Sequence, residues 1–388
     1  MTPKSGSADD IASALIGFIN SKECNVLVVG CDGTVVNTGY KNGIIAKIEQ
    51  HFGRCVQWSV CMLHRNELPL RKLITQLDGK STGPKGFSGP IGKLLNNCEG
   101  LPILDFAQIP GENIHVSNMD DLSTDQKYLL SIYRAISSGE VSDSLALLKP
   151  GNIVLSRWLT TANRLLRLYV STSSPSENFK MIVLFIMKVY VPTWLEIKCN
   201  QSIVLGSKHL YSLIKRMKSL GNDLVDIVKA TVQRNAFFAN PETILLCMTH
   251  DENPWIRKLT WRRILKARKL HAEHGGVRAF MIPKLNFDAD NYYDMVTWME
   301  DVTEPPLTSF MDTAEIEKFI VSGALPNIAA WNNIPCHTQA VERHIKLVTE
   351  AAGKVCGLER REGMILSISD HAAKCQHWRL KCNSKHNK

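Results

Sequence analysis

Residues 25–36 (NVLVVGCDGTVV) set a run of apolar and β-branched side chains directly before Asp32, with a glycine and a threonine after it. Such a run reads as a buried strand that delivers one carboxylate to the end of a parallel sheet. A second reactive pair, Cys61-x-x-His64, closes the next apolar stretch in SVCMLHRNELPL. Far downstream, IPCHTQAVERHIKLVTEA carries Glu342 followed by Arg343, and residues 255–278 hold eight Lys or Arg against one Glu. Carboxylates gathered from separate elements hold hard cations such as Mg²⁺ for phosphodiester chemistry. A Cys-x-x-His turn is often half of a zinc site, and a basic helix face can follow a phosphate backbone.

These groups need elements to position them. Residues 7–20 open with a serine and two acids ahead of apolar residues at helical spacing, which predicts a helix. A strand over 26–31, a glycine-bounded helix over 39–53 and a strand over 56–62 follow, a pattern that implies a parallel βα unit. Residues 78–93 are rich in glycine and proline and read as a long ordered loop anchored by Phe87 and Ile91. From 122 to 270 the pattern is largely helical, with a short strand near 284–287 left open. Residues 338–352 read as a further helix and 374–388 as a loose basic tail. The apolar stretch 181–191 is broken by Lys188 and suits a buried helix, not a membrane span. The fold class expected is α/β with a large helical insertion, divided as 1–115, 116–325, 326–373 and a tail over 374–388.

Two templates fail. The DGT after the first strand is similar to the DxDGT of haloacid-dehalogenase-type phosphatases, but Gly30 stands where the nucleophilic Asp must be. The glycines also miss the phosphate-loop pattern, because Gly79-Lys80-Ser81 has Ile74 five residues before its glycine.

Together the motifs resemble the hAT superfamily of DNA transposases. The likeness is strongest to a group of transposon-derived animal proteins with CDGT, CxLHxNELPLR and PxHTQAVER signatures, and it runs almost end to end. The resemblance implies a ribonuclease-H-like core interrupted by a helical insertion. In that family the second catalytic Asp ends a strand, matched by Asp32, and a Cys-x-x-His motif ends the next, matched by Cys61 and His64. An Arg-Trp pair lies where the insertion begins, matched by Arg157-Trp158. The third acid lies in a helix after a proline, matched by Glu342 after Pro335. It implies Mg²⁺ or Mn²⁺ held by Asp32 and Glu342, no zinc, and DNA as partner. The family's first β-hairpin, which carries the first catalytic Asp, has no counterpart before the first helix. Asp9 and Asp10 stand at a helix start, where they favour its dipole. A transposase remnant, inactive alone, is therefore expected, with a domesticated non-catalytic DNA- or protein-binding protein as the alternative.

Each motif also has a plainer account. Asp32 can serve as a turn cap, Cys61 can be a buried strand residue and His64 can bond locally. Trp158 can stack on an unpaired base or fill the core. Glu342 can face the sheet or the solvent. In the basic helix, Ile256, Leu259, Ile264 and Leu265 would be buried. That leaves Arg257, Lys258, Arg262, Arg263, Lys266 and Lys269 exposed, for DNA or for solvent alone. The net charge of +9 permits an anionic partner without requiring one. An odd cysteine count of eleven, without paired spacing, and no leader pattern at the start give an expectation of a reducing nuclear or cytoplasmic setting. Self-association through the helical region is a further expected contact.

Overall fold

Helix α1 (Ala8–Ser21) starts where the Ser7 side chain accepts a hydrogen bond from the Asp10 amide, with Asp9 and Asp10 in its first turn. It is the first element of a computed structural model that describes residues 3–22, 25–83, 86–153, 158–274, 277, 280–298, 311–326 and 334–337. The chain divides after His337, and all of these residues lie in the first unit. Arg157, Glu342, the helix expected over 338–352 and the tail over 374–388 lie outside the described residues.

Strand β1 (Val28–Cys31) and strand β2 (Gln57–Val60) pair in parallel, Val28 opposite Gln57 and Cys31 opposite Val60. Between them run a helical turn, α2 (Val35–Thr38), and α3 (Ile44–Phe52), which ends on Gly53 in the left-handed conformation at φ 63°. This is the expected βα unit. All four residues of β2 are buried, whereas Gly30 of β1 is exposed, so β1 is the outer strand. Ala12 of α1 meets Ile44 and Ile48 of α3 in one cluster. Ile45, Trp58 and Val60 form another with Phe237, and Trp58 stacks on Phe280 at 4.0 Å between centroids.

Helix α4 (Met62–Leu77) follows β2 directly. The glycine-rich stretch after it is ordered as a small antiparallel hairpin, β3 (Ser81–Gly83) and β4 (Gly86–Phe87), leading into α5 (Pro90–Leu94). The Asp78 carboxylate accepts the Ile91 and Gly92 amides at 2.8 and 2.7 Å, and Phe87 and Ile91 are buried as expected.

From there the described chain is helical. Helix α6 (Thr124–Ser138) has a capping box of Ser123 and Gln126 and stops at Gly139, φ 84°. Helices α7 (Asp143–Leu147) and α8 (Trp158–Tyr169) follow, and every residue of α8 is buried, the mark of a central helix. Helix α9 (Glu177–Phe185) continues through a π-helical turn (Ile186–Tyr190) into α10 (Val191–Cys199), the buried apolar helix expected there. Helices α11 (Gly206–Met217), α12 (Asn222–Arg234), α13 (Pro241–Thr249), α14 (Pro254–His274) and α15 (Thr313–Ser322) complete it. The protein is thus mainly helical, and among the described residues its sheets have two strands each. The segment 284–287 is not a strand, because its amides bond irregularly: Leu285 donates to the Gln233 side chain and Asn286 to the Met295 carbonyl. Among the described residues no helix is long and apolar enough to cross a membrane.

One buried carboxylate holds the α3–β2 connection. Glu49, 3% exposed, accepts the Val56 amide at 3.0 Å and the Trp58 indole N–H at 2.9 Å through Oε1. Burial pushes it up to about 7 from 4.5, against those two hydrogen bonds. The folded chain therefore holds this proton more tightly than the unfolded chain. Its contribution to stability is complete below pH 4.5 and is lost as pH rises through 7. At about 1.4 kcal/mol per unit the loss is about 3 kcal/mol at most. Glu49→Gln keeps the acceptor and removes the titration. Between pH 5 and 8 the melting temperature of the parent chain should fall relative to that of the variant, a difference that removes the titrations both chains share.

Candidate active-site turn and basic helix

The two strands of the parallel pair end together, because the Cys61 amide donates to the Cys31 carbonyl at 2.8 Å. Asp32 follows at the tip. Its Oδ1 accepts three hydrogen bonds, from the Thr34 amide at 3.0 Å, the Thr34 hydroxyl at 2.8 Å and the Asn37 side-chain amide at 2.7 Å. This is the Asx-type turn of the plainer account, and it folds the chain into α2. Oδ2 has no hydrogen-bond partner among the described residues. Partial burial raises the Asp32 carboxyl, but the bonds from Thr34 and Asn37 and the charge of His64 outweigh it and hold it below the usual range. Asp32 is ionised at neutral pH.

The turn is braced by glycines. A Cβ on Gly43 would lie 2.5 Å from the Gly39 nitrogen and 2.8 Å from the Asn37 carbonyl oxygen. Only a bare backbone lets α3 start this close to α2, which keeps Asn37 on Asp32.

Cys61 is the N-cap of α4 instead of a strand residue, so His64 occupies the helix's first turn. Its ring lies over the turn after Asp32, since a Cβ on Gly33 would sit 3.3 Å from His64 Cδ2. On its other side, His64 Nδ1 is 3.9 Å from Oε2 of Glu67, which is itself buried. The structure therefore brings Asp32 and His64 together across Gly33, with the buried Cys61 beneath.

A strand of late chain arrives at the same place. The Met62 amide, at the start of α4, donates to the Cys336 carbonyl at 2.8 Å. The Ser59 hydroxyl donates to the Pro335 carbonyl at 3.2 Å, across 276 positions of sequence. Residues 334–337 are held from the far side by Gln201, whose carbonyl accepts the Cys336 amide at 2.6 Å, and by a bridge between Ser202 and Pro335. His337, 4% exposed, pairs with the Gln201 side chain at 3.1 Å. Burial, then Lys198 and His209, hold it down to about 4, so it is neutral. Among the described residues no group of three or more His, Cys, Asp or Glu side chains could hold a metal ion. Glu342, five positions beyond His337, is outside the described residues.

Trp158 starts α8 as expected, but it is buried and meets Phe87 edge-on at 6.1 Å. The core reading applies, with no ring face open to a base.

The basic helix α14 splits its charges. Arg257 was expected at the surface and is buried. It donates to the carbonyls of Gly323 at 2.6 Å and Glu252 at 2.8 Å, and to that of Asp251. Arg263 is half-buried with its guanidinium 4.0 Å from the Trp298 ring centroid, and Lys258 is half-buried beside Gly323. Arg262, Lys266 and Lys269 are exposed, along with Trp255. At i, i+4 and i+7 these three cations lie along one face. Ile256 and Ile264 are buried as expected, while Leu259 and Leu265 are only partly so. Thr260 and Trp261 complete the inner face.

Helical periodicity could not find Arg257, because a long side chain can leave its own face to reach carbonyls at a neighbouring helix end. Arg65, buried beside His64, was also missed.

Arg257→Met should cost about 3 kcal/mol, from the lost charged hydrogen bonds to three carbonyls, and lower the melting temperature by roughly 5 °C or more. Replacing Arg262, Lys266 and Lys269 together by Gln should shift stability by less than about 1 kcal/mol. Thermal denaturation of both variants checks the division. In comparisons with known proteins, no family model, no curated protein and no solved structure matches the chain.

Proposed function

We propose that this chain derives from a DNA transposase of the hAT type, still binds duplex DNA through the exposed face of α14, and does not cut DNA alone. The observation that carries the reading is the return of residues 334–337 to the ends of β1 and β2, where Asp32 and His64 stand. A ribonuclease-H-like site split by a helical insertion needs such a return, since its acids come from both sides of the insertion. The exposed outer strand β1 agrees with a sheet that is wider in the complete fold.

The residues fit a Mg²⁺ or Mn²⁺ site only in part. Asp32 is ionised and offers Oδ2, but its Oδ1 is spent on the turn. One available oxygen cannot by itself hold a metal pair, which needs several carboxylates around it. This engagement of Oδ1 also favours the second reading, a domesticated protein that keeps the fold and the DNA contact without phosphoryl chemistry.

Gel-shift titration of a random duplex against salt tests the DNA contact. Affinity should fall linearly on a log–log plot, and the combined Gln variant at 262, 266 and 269 should reduce the slope by about one per residue removed. Supercoiled plasmid with Mg²⁺ should show no nicking above that of Asp32→Ala. Absence of salt-dependent binding overturns the DNA contact. Nicking that disappears in both Asp32→Ala and Glu342→Ala overturns the inactive assignment.

A further inference from the structure

Trp255 is 63% exposed, whereas the other described tryptophans are buried or, for Trp298, half-buried. An indole left in water forgoes the burial that such a ring ordinarily finds. Among the described residues its ring meets no other ring and no cation, and its indole N–H has no partner. Its one hydrogen bond comes from the backbone amide, which donates to the Asn253 side chain at 2.9 Å. The main chain under the ring is nonetheless fixed. The Asn253 amide donates to Asp251 Oδ1 at 2.9 Å, and Arg257 clamps the carbonyls of Glu252 at 2.8 Å and Gly323 at 2.6 Å. A Cβ on Gly323 would lie 2.8 Å from Lys258 Cε and 3.1 Å from the Pro254 carbonyl oxygen, so the end of α15 lies against the same turn. Val321 and Leu325, on either side of Gly323, add exposed apolar surface.

Trp255 also heads a row of cations. At about 100° per residue, Trp255, Lys258, Arg262, Lys266 and Lys269 fall within an arc of about 80° and span about 21 Å of helix axis. Arg262, Lys266 and Lys269 are exposed and Lys258 is half-buried. Exposed acids stand on α15 at Glu315 and Glu317 and before α14 at Glu252, yet Lys258, Arg262 and Lys269 make no ion pair among the described residues. An aromatic ring at the head of a line of uncompensated positive charge suits an anionic polymer that also offers flat apolar faces. The sides of a duplex supply the phosphates, but its bases are stacked on one another and leave the indole nothing to cover. An unpaired strand supplies both phosphates and base faces.

We infer that this face of α14 takes an unpaired stretch of DNA, with its phosphates on Arg262, Lys266 and Lys269 and one base stacked on Trp255. The inference rests on the DNA contact proposed above and adds the form of DNA that the contact takes. Every base has a flat face, so the platform is blind to sequence. The fixed main chain beneath the indole leaves less freedom to be lost on binding.

The test measures fluorescence anisotropy of the full chain with a labelled oligothymidine of about 15 residues, and with a blunt duplex of the same length. Trp255→Ala should weaken binding of the single strand about tenfold and of the duplex by less than about twofold, with the dependence on salt unchanged. Trp255→Phe, which keeps a ring, should recover most of the loss. Because the side chain is exposed, both variants should melt within about 2 °C of the parent. A uridine strand of the same length should bind no more tightly than the thymidine strand. Equal losses on strand and duplex, or no loss on either, overturn the stacking platform and leave the duplex contact standing. Failure of the parent to bind either probe overturns the DNA contact and this inference with it. Tighter binding of the uridine strand overturns DNA as the occupant.

Discussion

The first free amide of α4 is closed by a carbonyl from the far end of the described chain. Met62 N–H and the Ser59 hydroxyl both meet residues 334–337, and the same short segment is clamped by Gln201 and Ser202 behind it. The helix start that carries Cys61, His64 and Arg65 therefore exists in its present form only when the whole helical region has folded and returned the chain. An unsatisfied amide at a buried helix start would cost stability directly. The closure links the geometry near Asp32 to the packing of helices more than a hundred residues away.

Local pattern carried much of the architecture. The run ending at Asp32, the glycine-bounded helix and the Phe87 and Ile91 anchors each follow from neighbouring residues, and each was readable from them. The parallel βα unit and the long helical stretch after it were both expected. Two strands of four residues are enough to present Asp32, and the helices that follow outnumber them. What could not be read is set by long-range contact. Nothing in the tetrapeptide at 334–337 says which helix start its carbonyls will meet. The Asp32 carboxyl illustrates the intermediate case, since Thr34 and Asn37 stand at turn spacing but only the fold decides that both choose the same oxygen.

The distribution of arginines shows why bulk charge is a poor guide to partners. Arg164, Arg167 and Arg257 act as internal braces that gather carbonyls where helices end and loops begin. An excess of +9 thus says little about where the positive surface lies, because among the described residues four arginines are buried and so are the acids Glu49, Glu67, Asp78 and Asp251. Guanidinium suits this use, having five donors in a planar fork and a long apolar stem.

The crowding at Gly39 and Gly43 has a consequence for inheritance. Neither position presents a side chain to a ligand, yet a methyl group at 43 would collide with the backbone of both Gly39 and Asn37 and force the corner open. Asn37 would then leave Asp32, whose Oδ1 would keep only the Thr34 amide and hydroxyl. Drift in descendant lineages should therefore strike Asp32 and Gly43 together once the tip is no longer under selection, and spare both while it is.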